Sequence, residues 1–214
     1  MDQDNIIKIY ARNDNRIQLK MIPGHFVTSQ SHITHYLDLT TMKSRCAEAQ
    51  RIASALAANY EASIPVDTIV CMDGLEVIGA YLAEELTKAG VLSMNAHQTI
   101  YVITPEYTSG SQIILRDNLA PMVRGKHVLI LSASITTGYT VQAAIEAVNY
   151  YGGTVAGLSA IFATTHQCLG IPVTSIFDPS SLPDYASFDS RDCPMCKAGQ
   201  HIDALVNSFG YSAL

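Results

Sequence analysis

From residue 43 onward the chain alternates between two hydrophobic patterns. In some segments apolar residues recur every three or four positions, which is typical of amphipathic helices; others are short continuous apolar runs, which are typical of buried strands. The predicted helices are Lys43–Tyr60, Leu75–Ala89 and Thr137–Tyr151. The predicted strands are Val66–Met72, Thr99–Thr104, His127–Leu131, Val155–Ala163 and Val173–Phe177. This alternation predicts an α/β fold in which helices flank a mostly parallel sheet.

The two ends of the chain lack this alternation. Residues 1–42 carry short alternating runs and are predicted to form a small N-terminal hood or flap beside an α/β core at 43–180. Pro105–Asn118 is predicted to be a long loop or an irregular hairpin inside that core. Residues 181–214 are predicted to be an extension that ends in a short helix at His201–Ser208. We expect these parts to make up one domain over residues 1–214.

Ligands of parallel sheets bind beyond the carboxyl ends of the strands. Segments rich in polar and small residues follow four of the predicted strands, namely Cys71–Glu76, Thr104–Tyr107, Ser132–Thr140 and Thr164–His166. We therefore expect these segments to surround one crevice.

Composition narrows the class of protein. The 214 residues are 48% hydrophobic and 15% charged, which is enough apolar material for a core. The net charge of −6 argues against a nucleic-acid partner, which requires a basic surface. Since no apolar run is long enough to span a bilayer and the acidic N-terminus is unlike a secretory signal, we expect a cytoplasmic protein with no membrane partner. Five cysteines, an odd number at scattered positions, do not indicate a disulfide framework.

The segment Ser132–Thr140 is rich in hydroxyl and small residues and leads from a strand into a helix. The first backbone N–H groups of a helix have no partner within the helix, and the helix dipole favours an anion there. Gly138 would let a ligand approach the backbone closely. The segment is a candidate phosphate site, with a plain strand-to-helix turn as the alternative. The candidate phosphate-binding residues are Ser134, Thr136, Thr137, Gly138, Tyr139 and Thr140.

Together with the strand before it, this segment resembles the phosphoribosyl pyrophosphate (PRPP) motif of type I phosphoribosyltransferases. In that family four apolar residues precede two acidic residues, and a Thr-Thr-Gly turn follows. Val128–Thr140 matches the apolar residues and the turn, but Ser132 and Ala133 stand at the positions of the two acids. The resemblance implies the type I fold and a 5′-phosphate bound at Thr136–Thr140. Because the family's acids bind the ribose hydroxyls, their replacement implies weakened binding of PRPP.

The order of segments over roughly residues 20–180 also resembles that of orotate phosphoribosyltransferases. Pro23–Ser29 is similar to part of the family's hood, which implies that Phe26 and Ser29 lie near the base. Asp73 and Glu76 are suited to a Mg²⁺ ion that accompanies a diphosphate, or they are acids that stabilise a helix N-terminus. The family further implies a homodimer. The residues at the place of its pyrophosphate loop are Asp73, Gly74, Leu75 and Glu76.

The chain lacks the basic residues that orotate enzymes carry beside this loop. Ile103–Tyr107 has none, and Thr108–Lys126 offers Arg116, Arg124 and Lys126. Because cations stabilise a departing pyrophosphate, we assign Arg116 as the candidate mobile catalytic cation. The resemblance implies transfer of a phosphoribosyl group between PRPP and a nitrogenous base such as orotate. The alternative function is a catalytically weak or inactive regulator that binds a nucleotide or phosphate on the same fold.

Cys193 and Cys196 form a Cys-x-x-Cys pair, which some orotate-type family members also carry. The pair is half of a candidate Zn²⁺ site, which Cys168, His166 or His201 would complete. The alternatives are a redox pair and a family feature without metal. A zinc-dependent interaction module built on these cysteines is a third hypothesis for the function.

Three histidines, His25, His32 and His35, lie close together in the sequence of the hood. The spacing of His32 and His35 would suit a metal on a helix, but their segment is predicted to be a strand or loop. We therefore interpret these residues as surface or hydrogen-bonded histidines.

Overall fold

The computed structural model describes residues 5–60, 64–88, 93–96, 98–109 and 112–214. In chain order the strands are β1 (Ile7–Tyr10), β2 (Gln18–Val27), β3 (His32–Asp38), β4 (Thr68–Cys71), β5 (Tyr101–Ile103), β6 (Glu106–Tyr107), β7 (Ile113–Ile114), β8 (His127–Ile135), β9 (Thr154–Ala163), β10 (Gln167–Cys168), β11 (Ile171–Phe177), β12 (Ser187–Phe188), β13 (Ala204–Asn207) and β14 (Gly210–Ala213). The helices are α1 (Thr40–Ser44), α2 (Cys46–Ala57), α3 (Glu76–Lys88), α4 (Tyr139–Tyr150) and α5 (Pro194–Lys197).

These elements form two compact units. The central unit comprises Met42–Ile176, and the terminal unit combines Met1–Thr41 with Phe177–Leu214. No helix within the described ranges is both long and apolar enough to cross a membrane.

The central unit is the predicted α/β core. Its sheet has the strand order β10-β11-β9-β8-β4-β5, and the pairs β5–β4, β4–β8 and β8–β9 are parallel. All four residues of β4 are buried, which explains why it is a continuous apolar run rather than an alternating one. Helix α2 buries Ala49, Ile52, Ala53 and Leu56 at helical spacing. The predicted fold class is confirmed.

Two predicted boundaries in this unit are wrong. The strand expected at His127–Leu131 continues to Ile135, because Ser132, Ser134 and Ile135 pair with Ala160, Phe162 and Ala163 of β9. The helix expected from Thr137 begins at Tyr139, after Gly138. The small polar residues after Leu131 suggested a loop, but their pairing with the long strand β9 extends β8 to Ile135. Within Pro105–Asn118, β6 and β7 form the predicted irregular hairpin.

The terminal unit joins the two ends of the chain in one sheet. Its strand order is β12-β3-β2-β13-β14, and β1 pairs with β2 on the side. The predicted helix at His201–Ser208 is wrong, because this segment contains β13, which pairs in parallel with β2 and antiparallel with β14. The extension at 181–214 thus shares a sheet and a unit with the hood.

Candidate active site

The candidate phosphate-binding residues lie around the turn between β8 and α4: Ser134 is in β8, Thr136, Thr137 and Gly138 are in the turn, and Tyr139 and Thr140 begin α4. Gly138 adopts the left-handed region with φ 79°, and no side chain among the described residues caps the helix there. The turn is fixed from the neighbouring strand exit by Thr164, whose hydroxyl donates to the Thr136 carbonyl at 2.8 Å. Thr137, Tyr139 and Thr140 are exposed. The first amides of α4 are therefore available to an anion, which is the chemistry predicted for this turn.

Asp73 connects two strand exits of the same sheet. Its Oδ2 accepts hydrogen bonds from the Ser132 hydroxyl at 2.9 Å and from the Ala133 amide at 3.1 Å. The backbone of Asp73 is left-handed, with φ 60°, a region that Asp and Asn tolerate better than most residues. A carboxylate from the end of β4 thus lies against the two positions of β8 where the PRPP motif has acids. The sequence alone did not indicate this contact.

Lys43 is a cation at this site that we did not predict. Its ammonium group, half-buried, donates to the Asp73 carbonyl at 2.8 Å. Burial lowers the pKa of Lys43, and the nearby carboxylates of Asp73 and Glu76 oppose that shift. The local sequence gave no signal for it, since Lys43 was the first residue of a predicted helix and reaches Asp73 only through packing.

The remaining residues of the predicted pyrophosphate loop differ in accessibility. Leu75 has no exposed surface, so its side chain belongs to the core and cannot contact a ligand. Glu76 is exposed at the start of α3, and its Oε1 accepts from the Thr104 hydroxyl at 2.8 Å. Gly74 is left-handed with φ 75°, and a Cβ there would meet no atom. The exits of β4 and β5 therefore lie next to each other, as predicted.

The hairpin β6–β7 carries two further side chains near these exits. The hydroxyl of Tyr107 contacts the Met72 sulfur at 3.9 Å, and burial together with the charge of Asp73 raises the pKa of Tyr107 to about 12. Arg116, the predicted mobile cation, forms an exposed ion pair with Glu106, with Nη2 and Oε2 at 2.6 Å. Such exposed pairs stabilise by at most about 1 kcal/mol, so this one can open.

The predicted base-binding residues lie in the terminal unit. Phe26 is 0% exposed and packs with Ile33, Tyr36, Ala204 and Val206. Its ring is therefore part of that unit's core and offers no surface to a base. Ser29 is exposed in the turn between β2 and β3. Base binding by these residues stays a prediction, and for Phe26 it would require the core to open.

The two C-terminal cysteines lie beside His25 and His32, which we had interpreted as surface or hydrogen-bonded histidines rather than as metal ligands. The ligand atoms of His25, His32, Cys193 and Cys196 all lie within 4.8 Å of one another. We call these four residues the His-Cys cluster. The residues predicted to complete the cysteine pair, Cys168, His166 and His201, are not members. His25 and His32 take their place because β2 and β3 pair as neighbours in the terminal sheet.

Comparison with known proteins places this geometry in context. No family model matches the chain. The orotate phosphoribosyltransferase of Pelotomaculum thermopropionicum is 26% identical over 201 residues, which cover 93% of this chain and 94% of that protein. The orotate phosphoribosyltransferase of Sulfurimonas denitrificans is 26% identical over 210 residues, which cover 91% and 94%.

Solved structures agree on the fold. The UMP synthase of Leishmania donovani superposes with a TM-score of 0.53 at 18% identity, over 74% of this chain and 33% of that one. The adenine phosphoribosyltransferase of Thermoanaerobacter pseudethanolicus gives 0.50 at 16% identity, over 82% and 96%. The chain has the type I phosphoribosyltransferase fold. Its relatives in sequence are orotate phosphoribosyltransferases, as predicted from the order of segments over residues 20–180. Within this fold, Ser132 and Ala133 lie beside the carboxylate of Asp73.

Proposed function

We propose that the protein transfers a phosphoribosyl group between PRPP and a nitrogenous base such as orotate. The observation that carries the proposal is the uncapped turn between β8 and α4, with the Asp73 carboxylate beside it at Ser132 and Ala133. Sequence similarity to orotate phosphoribosyltransferases over 93% of the chain supports it.

In this proposal the 5′-phosphate of PRPP binds at Thr136–Thr140. The backbone amides at the start of α4 donate to its oxygens, and the exposed hydroxyls of Thr137 and Thr140 donate further bonds. The left-handed conformation of Gly138 turns these amides toward one point. The phosphate fixes the position of the sugar, so that C1 of the ribose lies in the same place for every substrate molecule.

Asp73 takes over the role of the missing acids. An ionised carboxylate has about four acceptor sites, and two at Oδ2 are used by Ser132 and Ala133. The other acceptor sites can bind a ribose hydroxyl. A hydrogen bond to a charged acceptor contributes roughly 1.5–3 kcal/mol, so one carboxylate recovers part of what two would supply.

The reaction breaks the bond between C1 and a pyrophosphate oxygen and forms a bond between C1 and a base nitrogen. The electron pair of the broken bond leaves on pyrophosphate, the base nitrogen supplies the pair of the new bond, and the proton that this nitrogen carried goes to the departing pyrophosphate or to water. We assign two cations to stabilise the negative charge of the departing pyrophosphate. One is Lys43, and the other is Arg116 once its ion pair with Glu106 has opened. The carboxylates of Asp73 and Glu76 fit Mg²⁺, which prefers oxygen ligands; when bound, this ion would neutralise pyrophosphate charge.

Steady-state formation of orotidine monophosphate from orotate and PRPP, with and without Mg²⁺, tests the proposal. Asp73→Asn keeps the left-handed backbone and the size of the side chain but removes the charge. We expect it to raise the Kd for PRPP roughly 10- to 100-fold. The matched control is Asp67→Asn, which changes a carboxylate that accepts from the His127 amide at the opposite end of β4 and β8 and should leave the Kd unchanged.

A second variant tests whether PRPP binding needs the carboxylate on Asp73 itself, or whether a carboxylate on residue 132 can replace it. Adding Ser132→Asp to the normal chain would bring two carboxylates within hydrogen-bonding distance, so binding should weaken. In the Asp73→Asn background the same substitution should restore part of the affinity. PRPP binding without turnover of orotate or of any base in a panel would contradict the proposed transfer and favour the regulator. No binding of PRPP would contradict both functions.

We also propose that the protein acts as a homodimer in the cytoplasm, as the family resemblance implies. All five cysteines are free, which suits a reducing compartment. A monomer mass in light scattering at micromolar concentration would contradict the dimer.

A further inference from the structure

We infer that the His-Cys cluster of the terminal unit is a structural Zn²⁺ site formed by His25, His32, Cys193 and Cys196. The Nε2 of His25 lies 2.9 Å from Nδ1 of His32 and 3.6 Å from each of the two sulfurs. The Cys196 sulfur lies 3.3 Å from His32 Nδ1. With Zn–N near 2.0–2.1 Å and Zn–S near 2.3 Å, a tetrahedral site has ligand separations of roughly 3.3–3.8 Å. In such a site N···S separations are about 3.6 Å, as for the two sulfurs around His25, while the distance from Cys196 to His32 is about 0.3 Å shorter and the N···N distance about 0.4 Å shorter.

The protonation of His25 is fixed by the groups on its other side. Its Nδ1 lies 3.1 Å from the Gln200 carbonyl and 3.2 Å from the His201 carbonyl, and both of these atoms can only accept. Nδ1 therefore donates to these carbonyls, which leaves Nε2 on the side of His32 and the two sulfurs as the atom that can bind a metal. A histidine whose outer nitrogen donates to a carbonyl is the usual arrangement around a bound metal.

The donor set selects the metal. Two thiolates and two imidazoles suit Zn²⁺, whereas Mg²⁺ and Ca²⁺ require oxygen ligands. All four tetrahedral positions would be taken by protein atoms, which is typical of a structural rather than a catalytic site. His25, His32 and Cys193 are buried, so the ion would be enclosed on three sides, with Cys196 at the surface.

The backbone around the cysteines is shaped to present them. Cys193 precedes helix α5, and Cys196 lies within it. The Gly199 amide, just after the helix, donates to the Cys196 carbonyl at 3.0 Å. Gly199 is left-handed with φ 70° and reverses the chain. The chain then reaches Asp203, whose carboxylate accepts from the His25 amide at 2.7 Å, and enters β13. A metal at the cluster would therefore join the C-terminal segment to the hairpin β2–β3 at one end of their pairing.

A redox role explains less of this arrangement. A Cys-x-x-Cys redox pair needs a thiolate and a partner sulfur, but it does not need one imidazole nitrogen beside both sulfurs and a second beside Cys196. The convergence of all four donors is what a shared cation requires.

Metal analysis of the full-length protein, saturated with Zn²⁺ and freed of excess by gel filtration, tests the inference. We expect about one zinc per chain, and a more than tenfold lower content in Cys193→Ser and Cys196→Ser. Cys168→Ser and His166→Gln remove residues with the same ligand chemistry outside the cluster and should keep the full content. Wild-type protein without bound zinc, or cysteine variants with full content, would overturn the inference.

A measurement on the unmodified chain covers the case in which the variants do not fold. Cys46 and Cys196 are both exposed, so an alkylating reagent can reach both thiols unless Cys196 is a ligand. Mass mapping should find Cys46 labelled and Cys196 protected in the zinc-loaded protein, and both labelled after chelation. Replacement by Co²⁺ should give a thiolate-to-cobalt charge-transfer band and intense tetrahedral d–d bands. Equal labelling of the two cysteines in zinc-saturated protein would overturn the inference.

Discussion

The two candidate sites of this protein differ in the groups that form them: one consists mainly of backbone amides from a single segment, and the other consists of side chains from two distant segments. The phosphate turn belongs to one continuous segment, Ser132–Thr140, and offers mainly backbone amides held between a strand and a helix. The His-Cys cluster offers side chains from two segments, and its contact between His25 and Cys196 joins residues 171 positions apart. A site made of backbone depends on local conformation, whereas a site made of distant side chains depends on the fold of its whole unit.

Because the sites are built differently, we expect ligand binding at each site to change the stability of its unit by a different amount. A ligand at the turn would contact elements that already pair in a buried parallel sheet. A metal at the cluster would link two segments from opposite ends of the sequence, beside the buried residues Phe26, Ile33, Tyr36, Ala204 and Val206. A cross-link that closes a long loop stabilises the fold because it removes conformational entropy from the unfolded chain. We therefore expect the terminal unit to depend on its ligand for stability, and the central unit to depend on its own packing.

Removal of zinc should have the largest effect. At a free zinc concentration about 100-fold above the Kd, the bound ion stabilises the folded state by about 3 kcal/mol, and chelation removes this contribution. Hydrogen exchange should then accelerate in β2, β3 and β13, while β4, β8 and β9 keep their protection. The Cys168→Ser variant, with and without chelator, is the matched control. Equal acceleration in both sheets would contradict the proposed difference between the units.

The next largest effect should come from Gly138→Ala. A Cβ at φ 79° costs about 1–2 kcal/mol, and relief of that strain would redirect the amides of the turn. Since misplacement of binding groups by about 1 Å can cost 100-fold, we expect the Kd for PRPP to rise by that order. Calorimetric titration measures it.

Gly125→Ala is the control for Gly138→Ala. Gly125 has φ 68°, and a Cβ added to it would meet no atom within 4 Å, so this variant should lose similar stability without losing affinity. A similar loss of affinity in both variants would mean that general destabilisation, rather than the geometry of the turn, weakens binding.

Gly79→Ala should have an intermediate effect confined to the central unit. A Cβ on this residue of α3 would overlap the Cys71 sulfur on β4. Overpacking costs typically 1–3 kcal/mol, and the higher helix propensity of Ala recovers about 0.5–1 kcal/mol. We expect a net loss of about 1–2 kcal/mol in urea unfolding, with unchanged zinc content.

Cys71→Ala should relieve much of that loss when it is combined with Gly79→Ala, because the two residues share one contact. Additive losses in the double variant would show that the close approach of α3 to β4 is not the cause.

The smallest effect should be the pH response of His35 in the terminal unit. Burial lowers the pKa of His35 below its ordinary value of 6.5, and the charge of Asp184 opposes the shift. Because the unfolded chain binds the proton more readily, stability is complete above that value and declines as the pH falls through the folded pKa. Urea midpoints of zinc-saturated wild type and His35→Gln, compared between neutral and mildly acidic pH, should differ more for the wild type. If the urea midpoints of wild type and His35→Gln fall by the same amount, the pH response belongs to other groups, such as the His-Cys cluster.

The sequence by itself determined the class of fold and indicated one of the two candidate sites. Hydrophobic periods and turn residues act over a few positions, so they predicted the helices, the parallel strands and the Thr-Thr-Gly turn that marks the relationship to phosphoribosyltransferases. The same local signals ended β8 too early at Leu131, because pairing with β9 supplied the rest of the ladder. They also predicted a helix where β13 joins β2.

Only the tertiary structure brought together residues that are distant in the chain. Asp73 reaches Ser132 across 59 positions, and Lys43 reaches Asp73 across 30. The partners of Cys193 and Cys196 proved to be His25 and His32 rather than the nearer candidates in the sequence. Such contacts follow from which strands are neighbours in a sheet, and that choice is made by the packing of whole elements, which no short stretch of sequence records.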